Sequence, residues 1–174
     1  MHITCAYPAI SFRHHRKTMD KLDRTIFNRQ NCINIGFIRS EFVDFFNTHG
    51  FKGLLKHDSP IVFWKDRVEH TDAHRDEFSS DIMYQICFEE IPQIIYRPDY
   101  ISIHPKENSI SFIRNYTSNH VNVAIRVTVS GNLAYRTMYP LVDATLTHYM
   151  DTSHAWKVEY SEDGTPTIID KAIE

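Results

Sequence analysis

Two histidines lie four residues apart, His70 and His74, in a segment with helical character. That spacing puts both imidazoles on one helical face. Three chemistries fit such a pair. The rings can be an acid and a base for phosphodiester chemistry, since imidazole titrates near neutrality. They can be two ligands of a zinc site, but Thr71 stands where an HExxH motif carries its glutamate, and no third ligand is evident. Or they can be two exposed rings on a polar helix, in keeping with their neighbours Asp72, Arg75 and Asp76. Downstream, Arg114 and Arg126 are single cations within apolar runs. A guanidinium binds phosphate through two parallel hydrogen bonds, whereas an Arg on an exposed sheet face is commonly inert. Lys106 and His104 flank a turn within reach of a phosphate, and Thr137 is a hydroxyl between Tyr135 and Tyr139. Tyr96, Tyr100 and Tyr116 can stack unpaired bases or fill a core.

The elements that must position these groups follow from the pattern. Asn34–Ile38 is a short β-like run. Ser40 offers an N-cap to a helix with Phe42, Val43, Phe45 and Phe46 at helical spacing and Gly50 as its stop. Phe51–Lys56 reads as a short strand, and His57-Asp58-Ser59-Pro60 as a turn. Ile61–Trp64 is a buried strand, and residues 68–78 a polar helix. Ser79-Ser80-Asp81 caps a second helix with Ile82, Met83, Ile86 and Cys87 inward, ended by Pro92. Four β-like runs follow. Tyr100–Ile103 comes after Pro98-Asp99. In Ile110–Tyr116, Arg114 shares parity with Ile110 and Phe112. In His120–Val129, five aliphatics face one way and Asn122, Ala124, Arg126 and Thr128 the other. Leu133–Tyr139 places Leu133, Tyr135, Thr137 and Tyr139 on one face. Ser130-Gly131-Asn132 is a hairpin turn between the last two. A helix near Leu141–Tyr149 and a strand near Trp156–Tyr160 close the chain. Helices first and an antiparallel meander after them make an α+β fold, with helices on one face of the sheet. A boundary near residue 58 divides an N-terminal extension or small α/β subdomain, 1–58, from a domain over 59–174 whose core is 61–140.

Composition supports one real core in 174 residues: 42% hydrophobic, 13% aromatic, five Gly and seven Pro. A net charge of −3 argues against coating nucleic acid by bulk charge. The charge is uneven, however. Residues 91–137 hold five Lys/Arg against two Asp/Glu, and residues 138–174 hold two against seven. Arg13-His14-His15-Arg16-Lys17 is a basic cluster, either solvated surface or a phosphate-backbone contact. Cys5, Cys32 and Cys87 are an odd, widely spaced set, as expected of reduced cytosolic thiols. With no signal-like start and no apolar run of membrane length, a cytoplasmic location is expected.

The order of features carries more than any one of them. Strand Ile61–Trp64, the His70/His74 helix, then Ile91-Pro92-Gln93-Ile94-Ile95-Tyr96-Arg97-Pro98-Asp99, and three β-runs ending in Tyr135-Arg136-Thr137-Met138-Tyr139 resemble the phage-encoded branch of the barnase, EndoU, colicin E5/D and RelE nuclease superfamily. The resemblance spans Ile61 to Tyr139. It implies a helix pair on a four-stranded antiparallel sheet, with a metal-independent ribonuclease site on the open face and no cofactor. It implies His70, His74, Arg114 and Thr137 as the catalytic set; Lys106, Arg97, Arg126 and Tyr139 are the residues expected to bind substrate beside them. The implied partners are RNA (tRNA or mRNA) and a cognate inhibitor or antitoxin, in a toxin, phage-defence or prophage setting. The rival is a module on the same scaffold that binds RNA or protein without cutting, through the Phe42/Phe45/Phe46 helix and the sheet.

Overall fold

A computed structural model describes residues 18–117 and 119–170. Cys5 and the basic cluster at 13–17 lie outside them. The first strand, β1 (Cys32–Phe37), leads into helix α1 (Ser40–Phe46), which buries Phe42, Val43 and Phe46. Its end widens into a π turn, Asn47–Phe51, closed by Lys52 in the left-handed region. No strand forms over 51–56. The Asn47 amide donates to the Leu55 carbonyl at 2.8 Å, and its oxygen accepts the Leu55 N–H at 3.0 Å. Those two bonds fold the segment back onto the helix end and use up the backbone groups a strand would need.

Strand β2 (Pro60–Trp64) is buried at its centre and runs straight into α2 (Asp66–Asp72). The polar helix expected to reach Phe78 stops at Ala73 and restarts as a short 3₁₀ turn, Arg75–Glu77. Ser80 caps α3 (Asp81–Glu89) by accepting the Met83 N–H at 3.1 Å. The inner face of α3 is Tyr84, Cys87 and Phe88, while Ile82 and Ile86 are 73% and 41% exposed. Two large rings bury more area than two isoleucines, and this fixes the rotation of the helix. Pro92 does not end the helical run. It occupies the first turn of α4 (Ile91–Tyr96), where a missing N–H costs nothing.

The expected meander is present as β3 (Tyr100–Ile103), β4 (Ser109–Asn115), β5 (His120–Val127) and β6 (Leu133–Leu141). The sheet has eight strands rather than four. Helix α5 (Asp143–Asp151), β7 (Ala155–Tyr160) and β8 (Pro166–Ile169) complete the described chain, and the strand order is β1-β2-β6-β5-β4-β3-β7-β8. Both meander edges are extended, because each would otherwise leave a row of backbone groups unpaired. On one side β7 pairs antiparallel with β3, and β8 with β7. On the other, β2 joins β6 in parallel through Ile61↔Leu133 and Val62↔Ala134, and β1 pairs antiparallel with β2. Residues on both sides of position 58 share one hydrophobic cluster: Leu22, Phe42 and Leu55 lie in it with Phe112, Ile125 and Tyr135.

Helices occupy both faces of the sheet, not one. Ile110 and Phe112 belong to the main cluster, whereas Ile113, of opposite parity, joins Leu141, Leu146 and Ala155 in a smaller one. Leu146 brings α5 onto that second face. Strand β6 also changes parity. Ile125 pairs with Tyr135 but Ala124 with Thr137, so Arg136 is an extra residue in a β-bulge. Leu133, Tyr135 and then Met138 face the main core. Thr137 and Tyr139 therefore turn away from Tyr135, and the single face expected for all three is split.

Candidate active site

Helix α2 follows β2 without a loop, so its direction is set by the sheet edge. Two anchors fix its rotation. The Thr71 hydroxyl, fully buried, donates to the Arg67 carbonyl at 2.7 Å and accepts from the Tyr135 hydroxyl at 2.7 Å. Asp72 receives both guanidinium arms of Arg24, one at 2.8 Å, and the Tyr84 hydroxyl at 2.5 Å. Burial opposes ionisation of Asp72, but the bonds from Arg24 and Tyr84 outweigh it and hold the carboxyl below its ordinary value. Two of the three residues between the histidines, Thr71 and Asp72, are pinned, and the histidines are left outward.

The imidazoles of His70 and His74 lie 5.9 Å apart, nearly edge to face. The His74 Nδ1 is 2.7 Å from Glu77 Oε1, a contact supplied by the 3₁₀ turn, and its ring lies 5.6 Å from that of Tyr139. A carboxylate on Nδ1 fixes the tautomer and leaves Nε2 for chemistry. His70 is exposed and has no hydrogen-bond partner among the described residues. Its pKa is lowered, first by partial desolvation and then by the positive charges of Arg67, His74 and Arg136.

Beside the histidines a groove of about 880 Å³ opens on the second face of the sheet. Trp64, Arg67, Glu107, Arg126, Val129 and Arg136 are among its lining residues. Arg136, displaced outward by the bulge, pairs with Glu107 from the β3–β4 loop, and Arg67 pairs with Asp66 at 3.2 Å. Arg126 is exposed and has neither an ion pair nor a hydrogen bond among the described residues. On the same face, Thr137 Oγ1 and Asn122 Nδ2 are buried without partners among the described residues. The pairings Asn122↔Tyr139 and Ala124↔Thr137 make them neighbours on adjoining strands. A buried polar atom without a partner costs free energy, which a bound ligand would recover.

The sequence-derived residues thus fall into two sets. His70, His74, Arg126, Thr137 and Tyr139 share the second face and its α2 rim, with Lys106 exposed on the loop that carries Glu107. Arg114 and Arg97 are on the helix side. Arg114 Nη2 donates to the carbonyls of Gln93 at 2.6 Å and Arg97 at 3.0 Å, closing the C-terminus of α4. The Arg97 guanidinium lies over the Tyr160 ring at 4.5 Å. Missed from sequence were Arg67, three residues before His70 on the same helix, and Glu77, three after His74. Both were readable from helical spacing. Arg136 and Asn122 were not, because the bulge and the cross-strand register decide their place. Among the described residues no group of three or more His, Cys, Asp or Glu is arranged to hold a metal ion, and no helix is long and apolar enough to cross a membrane.

Comparison with known proteins adds one finding. The model of the family described as phage-Barnase-EndoU-ColicinE5/D-RelE like nuclease3 matches residues 48–148, more than half of the chain and wider than the motifs alone. It takes in α2, the meander and most of α5. Searches of the curated proteins and of the solved structures gave no significant match.

Proposed function

Because the chain belongs to the phage-Barnase-EndoU-ColicinE5/D-RelE like nuclease3 family, we propose that it is an endoribonuclease that cuts RNA by 2′-OH transesterification without a metal ion. The observation that carries the proposal is the His70/His74 pair, with Glu77 behind one ring, beside a groove lined by Arg136. His70, whose lowered pKa keeps it neutral near pH 7, takes the proton from the 2′-OH. The 2′-oxygen attacks phosphorus, the bond to the 5′-oxygen breaks, and a 2′,3′-cyclic phosphate forms. His74, its ring oriented by Glu77 at Nδ1, gives a proton from Nε2 to the departing 5′-oxygen. Arg136, which lines the groove, meets the charge on the phosphorane. Imidazole serves both proton transfers, so the reaction calls for no Lewis acid. Arg114 and Arg97 act in this scheme only by holding α4.

The test is cleavage of total RNA with and without EDTA, by the parent protein and by His70→Ala and His74→Ala. Cutting that resists EDTA and falls by about 10²–10⁴-fold in each variant is expected. Variants that cut like the parent sink the assignment. A toxin, phage-defence or prophage role, with a protein inhibitor, extends the reading; induced expression that arrests growth in the parent but not in His74→Ala supports it.

A further inference from the structure

Resting on the ribonuclease reading, we propose that the groove beside the histidines is a second nucleotide subsite, selecting single-stranded RNA of at least three nucleotides. Arg126 holds the phosphate next to the scissile one, and Trp64 with Val129 receives an unpaired base. Of the three arginines lining the groove, Arg67 and Arg136 already face carboxylates from Asp66 and Glu107. Arg126 alone among the three has no ion pair among the described residues, although Glu107 lies near enough to feel its charge. It projects from β5 onto the second face, between Ile125 and Val127, whose side chains enter the core. A guanidinium there binds a phosphate without first giving up a carboxylate.

The apolar part of the groove is equally unmatched. Val129 is 90% exposed at the β5–β6 turn, and Trp64 is half-buried at the end of β2. An indole beside a cation is the combination on which unpaired bases stack, and only a strand free of its complement offers that face. A volume of about 880 Å³ sits near the top of the range for ligand sites, so there is room for more than one nucleotide. Continuity with the catalytic centre comes from α2, because Arg67 lines the groove and His70 stands one turn further along the same face.

The experiment compares a dinucleotide, which has one phosphodiester, with a trinucleotide, using the parent and Arg126→Gln. Arg126 is exposed, so the variant folds. The expected result is a loss of about 10-fold in kcat/KM on the trinucleotide, through KM, with the dinucleotide unchanged. In parallel, anisotropy of a labelled 2′-O-methyl trinucleotide, which cannot be cut, measures binding alone. There Arg126→Gln should weaken affinity and reduce the slope of log K against log salt by about 0.7. Equal effects on both substrates, or no change in binding or salt slope, overturn the subsite while leaving catalysis standing. A parent that cuts nothing but shows the anisotropy difference defeats the catalytic reading and keeps the subsite.

Discussion

Arg24→Ala removes a residue far from the groove and outside the 48–148 family match, and it should nevertheless damage catalysis. Arg24 grips Asp72 with both arms, and Asp72 lies between the two histidines. The side chains are 35% and 29% exposed, between a surface pair and a buried one. Exposed pairs contribute about 0.2–1 kcal/mol and charged hydrogen bonds out of water about 1.5–3, so a loss of roughly 1.5 kcal/mol is expected. For a chain of this size that lowers Tm by about 3–6 °C. The α2 segment stays attached through Thr71 and Tyr135, so the histidines shift by less than 1 Å; a displacement of that order costs up to about 10²-fold. We therefore expect kcat to fall by about 10-fold, measured well below Tm, with KM little changed. The acid limb of stability moves as well. The Asp72 carboxyl is depressed in the folded state, so its stabilisation is present above its unfolded pKa of about 3.9 and lost as pH falls through the folded value. Without Arg24 that loss begins at higher pH. Thermal unfolding and single-turnover cleavage decide the matter. A lower Tm with unchanged kcat would show that the clamp stabilises the fold without placing the histidines, and no change in either would refute the clamp itself.

Two further outcomes follow from the same geometry. If neutral His70 is the base, kcat/KM should drop only below about pH 6.5, because desolvation and then Arg67 lower its pKa; Arg67→Gln should move that acid limb to higher pH, and a pH–rate profile checks it. At the β5–β6 turn, Gly131 has φ +82°, and a Cβ there would sit 2.3 Å from the Leu54 carbonyl oxygen, whereas Gly53, at φ +80°, has nothing within 4 Å. Gly131→Ala should thus cost more than 2 kcal/mol and Gly53→Ala about 1 in urea titration, and equal costs would deny that the Leu54 contact matters.

What the sequence disclosed was local. The Ser80 cap, the Ser130-Gly131-Asn132 turn, the apolar alternation of β5 and the i, i+4 histidines depend on residues a few positions apart, and each reappears in the structure. The misses arose where distant backbone decides. The union of β2 with β6 is made of main-chain hydrogen bonds to which side chains contribute little, so four strands were expected and eight are present. Parity along β6 holds only until Arg136 intrudes, so Thr137 was grouped with Tyr135 when it faces the other way. The resemblance implied a phosphate role for Arg114; the structure places it against the Gln93 and Arg97 carbonyls at the end of α4 and 3.7 Å from Glu90, contacts that no local spacing announces.

The seam between β2 and β6 bears on how the protein would come apart. Only two residue pairs join these strands, against eight between β5 and β6, and α2, which carries His70 and leads on to His74, hangs directly from β2. Local opening follows the least protected junction. A fluctuation that parts the seam, once it also breaks the Thr71–Tyr135 bond, frees α2 from the sheet while the meander stays hydrogen-bonded. The molecule then passes through a state that is mostly native but no longer holds His70 against the sheet. Amide exchange at Ile61 and Val62 would report its population, and any contact that holds the seam closed would fix the placement of His70 without touching it.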